Sequence, residues 1–145
     1  MNRRELIGAG VGLGAVILAA DVAVAQPHPA SDPKATLLAA LADCIAKGVA
    51  CNAHCQTQLA QGNKDFVHCA SAVADMLAIV SATQSLVSRT SPTSKKLVDV
   101  CAAACRECSN ACLEHKAHWA HGMHMECKAC NDACLTCVTA CQGFA

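Results

Sequence analysis

The sequence predicts an all-α chain, specifically an antiparallel up-down-up-down four-helix bundle with a cysteine-lined core. Three observations carry that expectation. From Asp32 onward the residues are dense in Ala, Leu, Lys and Gln, with helix-breaking signals confined to three places. The turns at those places are only a few residues long, which makes successive helices antiparallel neighbours. The cysteines, 13 in all, recur at helical spacing rather than in loops.

Residues 1–25 read as an address rather than as structure. Arg3 and Arg4 precede an apolar, glycine-interrupted run from Leu6 to Ala20, and Ala23, Val24 and Ala25 supply the small residues of a cleavage site. The paired arginines followed by Leu6 and Ile7 resemble the twin-arginine export motif. The apolar run falls short of the roughly 20 residues that span a bilayer, so the sequence favours a cleaved leader over a permanent anchor. Gly10 and Gly12 mimic a dinucleotide fingerprint, but no strand precedes them. Residues 26–145 are then the mature chain, exported and periplasmic, opening on a Pro27- and Pro29-containing tail.

Asp32 followed by Pro33 opens the first helix as N-cap and first helical residue, and Gly62 closes it. Asn63 caps the second helix, and Ser91 with Pro92 repeats the opening signal for the third. The His121-Gly122 turn ends that helix, and a fourth runs until Gly143. The expected spans are Pro33–Gln61, Lys64–Arg89, Pro92–Ala120 and His124–Gln142. An alternating topology brings the turns at Gly62 and Gly122 to one mouth.

The cysteines face one way. Cys127, Cys130, Cys134, Cys137 and Cys141 alternate steps of three and four and occupy an arc of about 80°. Cys101, Cys105, Cys108 and Cys112 fall within about 60°, and Cys44, Cys51 and Cys55 within about 40°. The second helix supplies Cys69, continued by Val73, Met76 and Val80; Met76 reads as packing. Thiols thus stand where leucine normally fills a bundle. The aromatic residues, Phe66, Trp119 and Phe144, are too few to fill that space.

Small side chains pack a bundle poorly, so hydrophobic filling alone does not account for three cysteine seams. Disulfide staples suit an exported chain, but helical neighbours project in parallel and resist pairing, and 13 is odd. Soft thiolates select Cu(I), Zn(II) or iron–sulfur clusters, and no loop-borne cluster motif is present. Charge separates the first two. One Cu(I) per thiolate leaves a neutral dry core, whereas zinc needs more sulfur per ion and leaves negative charge that no buried cation balances. The reading is storage of Cu(I), on the order of a dozen ions per chain if each ion takes two bridging sulfurs. The alternatives are a zinc or general thiolate-metal buffer and a disulfide-stapled structural export module. No isolated CxxC at a helix N-terminus suggests an oxidoreductase, so no enzymatic role is expected. Without the leader, nine basic residues face nine acidic ones, and neither nucleic acid nor a membrane is an expected partner of the mature form.

His54 and His68 flank the first turn, while His115, His118, His121, Met123, His124 and Met125 crowd the third. Extended along the seams, His115 and Trp119 continue the third helix and Met123 and His124 the fourth. Imidazole and thioether are weaker copper donors, so His54, His115, Met123 and His124 are candidate ligands of a gate at this mouth, with Trp119 as its plug.

The run Cys44-x6-Cys51-x2-His54-Cys55, then Cys101-x3-Cys105-x2-Cys108-x3-Cys112, then Glu126-Cys127-Lys128-Ala129-Cys130-x3-Cys134-x2-Cys137-x3-Cys141 resembles the exported bacterial copper storage proteins. The resemblance covers nearly all of the mature chain. It implies a homotetramer, Cu(I) on all 13 cysteines and His54 as a ligand at the open end. A copper-requiring exported enzyme or a copper chelator is the expected partner of such a store. Relatives place methionines near the first hairpin, where this chain has Gln58, Gln61 and Phe66. The Met123, His124 and Met125 group is expected to do that work from the other loop.

Overall fold

The computed structural model describes residues 32–144. The leader expected at 1–25 and the tail after it lie outside the described residues. Within them the chain is all-helical. Four long α-helices, α1 (Pro33–Ala60), α2 (Val67–Ser88), α3 (Ser94–Leu113) and α4 (Met125–Phe144), are joined through short 3-10 segments at Lys64–Phe66 and Lys116–His121. Each packs on two others, α1 and α3 both against α2 and α4, which closes a ring around one core.

The helix ends follow local chemistry. The Asp32 carboxylate accepts the Lys34 amide at 3.0 Å and Pro33 follows at the first helical position. After α1, Gly62 takes a left-handed φ of 85°, letting the Asn63 amide reach the Gln58 carbonyl and the Gly62 amide the Leu59 carbonyl. Gly122, at φ 71°, repeats the device after the Lys116–His121 segment. The end of α2 does so without glycine. Thr90 holds φ 55°, a costly conformation for a β-branched residue, while Thr90 and Ser91 donate to Val87 and Leu86. Lys34 Nζ donates to the Thr90 hydroxyl at 2.7 Å and the Ser88 carbonyl at 3.3 Å, tying the start of α1 to that turn.

Several boundaries depart from expectation. The second α-helix starts at Val67 rather than Lys64, because Asn63 caps a 3-10 turn over Lys64–Phe66 and not α2 itself. The third helix starts at Ser94, not Pro92, because the Thr93 and Ser94 amides fold back onto Ser91 as a separate turn. It also ends at Leu113 rather than Ala120, and the chain tightens into the 3-10 segment. The fourth helix runs through Gly143 to Phe144, so that glycine does not stop it.

The core is graded along its length. Leu37, Leu41, Val80, Val87 and Val98 make a hydrocarbon end, and cysteine sulfur takes over toward Phe66. Between α3 and α4, the buried Ser109 hydroxyl donates to Asn131 Oδ1 at 2.7 Å. A paired polar contact of this kind fixes how two otherwise smooth faces meet.

Candidate metal centre

All 13 cysteines are buried and carry free thiols. Their seams bring the sulfurs into contact across helices. Cys44 lies 4.0 Å from Cys105 and 3.8 Å from Cys134; Cys51 lies 3.9 Å from each of Cys69, Cys112 and Cys127 and 4.0 Å from Cys55. Cys69 and Cys112 are 3.8 Å apart, and Cys108 and Cys130 are 3.7 Å apart.

Sulfurs mutually within 4.8 Å form five groups that together include every cysteine. Shared members join four of them in sequence. Cys51 links the Cys55, Cys69 and Cys127 group to Cys112 and Cys130; Cys130 leads on to Cys108 and Cys134; Cys134 leads to Cys44 and Cys105. Cys101, Cys137 and Cys141 form the fifth. With a metal–thiolate bond of about 2.3 Å, an ion can bridge two sulfurs up to about 4.6 Å apart, so the observed spacings admit ions with little movement of the helices.

Protonation is shared within this network. Hydrogen bonds from Cys112, then Cys51, pull Cys127 down to about 4. Cys112 itself is held far above the usual thiol range, first by its bond to Cys108. Cys141 is pushed up to about 12, chiefly through Cys101, with burial adding to it. Hydrogen bonds between neighbouring sulfurs thus push their hold on thiol protons in opposite directions. Soft cations would replace those protons.

Beyond Cys55, Cys69 and Cys127 the sulfur gives way to aromatic rings. Phe66, 1% exposed, stacks on His115 with centroids 4.0 Å apart and planes 5° from parallel. It meets His54 and His124 edge-on at 5.5 and 4.9 Å. His54 Nε2 and His124 Nδ1 are 3.0 Å apart, and His54 Nδ1 faces Glu126 Oε2 at 3.5 Å. Burial, and secondarily the proximity of His54, hold His124 below the usual histidine range. The His115 Nε2 atom is buried without a hydrogen-bond partner.

Three of the four candidate gate residues therefore come together, His54, His115 and His124, with His118 edge-on to His124 at 5.3 Å. Met123 does not join them. Its side chain is 46% exposed, because α4 begins only at Met125 and His124 takes a left-handed φ of 54°, so the cysteine seam cannot be extended backwards to position 123. Met125 is likewise exposed, and His68 pairs outside with Glu114 at 2.7 Å. Phe66 stands at the centre of the histidine rings. In the 3-10 segment a four-residue step turns about 120° instead of about 40°, so position 119 is rotated from the seam that His115 follows, although the Trp119 indole Nε1 is still buried, without a hydrogen-bond partner. Sequence reasoning passed over Phe66 as a ring at the mouth, although its place one turn before Cys69 was a usable signal.

The model of the copper storage protein family matches residues 31–145, the whole cysteine-bearing part of the chain. No curated protein matches the sequence. The family is one of storage proteins rather than catalysts, which agrees with a core that offers clustered thiol ligands. On this match, with thirteen buried thiols in five groups of which four are linked, the chain belongs to the copper storage protein family.

Proposed function

We propose that the chain stores Cu(I), on the order of a dozen ions, along a neutral ladder of thiolates. The observation that carries the reading is the linkage of thiol groups through shared Cys51, Cys130 and Cys134. Shared sulfurs suit a monovalent ion in bridged, low-coordinate sites, with one charge per thiolate and no buried excess.

The fold is an antiparallel up-down-up-down four-helix bundle in this reading. Sulfur register supports it: Cys44 and Cys51 of α1 meet Cys105 and Cys112 of α3 in the same order, but Cys134 and Cys127 of α4 in reverse. Copper passes at the end where His54, His115 and His124 surround Phe66, opposite the hydrocarbon end. Met123 serves as an outer thioether, reached before the rings.

Residues 1–25 act as a twin-arginine-type leader and 26–145 as the mature periplasmic protein, a homotetramer that supplies copper to an exported enzyme or chelator. Helix α1 and the stretch Lys64–Ser88 are long and apolar enough to cross a bilayer. We read them as core helices, because the faces that carry their cysteines are turned inward.

Competition between metals tests the choice of ion. Reduced protein preloaded with Zn(II) is challenged with buffered Cu(I). Release of all zinc is expected by the point at which added copper equals the thiols, and zinc retained there would favour the buffer alternative. Loading expels thiol protons, so copper affinity is expected to fall in acid.

A further inference from the structure

Helix α1 carries a vacancy in its ligand seam. Cys44, Gly48, Cys51 and Cys55 follow one another at steps of four, three and four, so Gly48 occupies a ligand position. A glycine inside a helix costs about 1 kcal/mol relative to alanine, and this one is buried. Space explains it. A Cβ at position 48 would stand 2.7 Å from Met76 Cε and 2.9 Å from Leu77 Cδ2.

Met76 enters from α2, the helix that supplies one cysteine, and its side chain is fully buried. With its methyl seated against Gly48, its sulfur lies 3.5 Å from Cys44 Sγ, which donates to it. Cys44 also contacts Cys105 and Cys134. At this level each helix therefore presents one sulfur: Cys44, Met76, Cys105 and Cys134. The level nearer the mouth is built alike, with Cys69 of α2 standing among Cys51, Cys112 and Cys127.

We propose that Met76 is a Cu(I) ligand in the interior of the store, a neutral thioether completing the tier of Cys44, Cys105 and Cys134. This rests on the storage reading above. A leucine would fill the same volume, but it would put no soft donor beside Cys44. Thioether is a ligand for Cu(I) rather than for zinc. Being neutral, it adds coordination without adding charge, and it releases no proton on binding. An ion at this tier gains a third ligand while the core stays electrically balanced.

Selenium in place of methionine sulfur makes the site directly visible. Selenomethionine-labelled chains that are either wild type at position 76 or Met76→Leu, both also carrying Met123→Leu and Met125→Leu so that no exposed methionine at the mouth carries selenium, are reduced, loaded to the same copper content, and measured by X-ray absorption at the selenium edge. Copper at bonding distance from selenium is expected in wild type, with that signal lost in Met76→Leu. Equal copper scattering per selenium in both chains, or none in either, would overturn the assignment. Far-UV circular dichroism establishes that the variant is folded, as a volume-conserving swap should be. If wild type takes up no copper, the storage reading itself fails; if it loads normally and selenium sees no copper, only the role of Met76 fails.

Discussion

Replacing Phe66 by Ala removes the ring that closes the sulfur column, and its cost can be worked from the contacts. The side chain is 1% exposed, and truncating such a phenylalanine costs about 3–5 kcal/mol through lost burial and the cavity left behind. The stacked contact with His115 at 4.0 Å and the edge contacts to His54 and His124 are worth about 0.5–1.5 kcal/mol more. A domain of this size holds about 5–15 kcal/mol in total, so the apoprotein should be visibly weakened. Urea unfolding of reduced, metal-free protein measures the loss. Copper release should respond as well: with the plug gone, a chelator in excess should strip copper faster from Phe66→Ala than from wild type, with Phe66→Leu between them. A loss below about 1 kcal/mol would refute the packing argument. Unchanged stripping kinetics in a folded variant would refute the placement of the gate.

Thr90→Gly is expected to raise the unfolding midpoint, because glycine adopts φ 55° freely; relief of about 1–3 kcal/mol outweighs the exposed hydrogen bond from Lys34 that is lost. Ser109→Ala strands the buried Asn131 carbonyl oxygen and should cost about 1–3 kcal/mol in denaturant melts, with Ser109→Thr costing less if its hydroxyl reaches the same partner. His124 titrates below its ordinary 6.5 in the folded chain, so as pH falls past that value the unfolded chain takes up a proton that the folded one refuses. Its contribution to apoprotein stability is complete above that pH and lost below it. Melts across the range should show the decline, and His124→Gln should flatten it.

Much of this was legible before any coordinates. A strict three-and-four rhythm of cysteines leaves no helical arrangement in which they do not share a face, and all 13 are buried. Asp32, Gly62, Asn63 and Gly122 marked helix ends because each offers a specific backbone remedy, a side-chain acceptor or a left-handed φ. What escaped depends on contacts between distant segments or on local winding. The collapse of α3 into a 3-10 segment after Leu113 carries no proline or glycine to announce it, and it alone decided that His115 stays on the seam while Trp119 leaves. Thr90 in a left-handed cap runs against its own preference and is held by Lys34 from another helix. Gly48 was readable in principle, since it falls on the seam between Cys44 and Cys51. Its meaning required the partner, Met76, from α2.

The central claim is that the linked thiols form one store of monovalent copper, and stoichiometry tests it most directly. Fully reduced protein, with its free thiols counted, is titrated anaerobically with Cu(I) in the presence of a competing chelator. The account requires saturation at about one ion per cysteine, on the order of a dozen per chain, with every thiol protected from alkylation at the end point. Saturation at four ions or fewer, with most thiols still reactive, would contradict it.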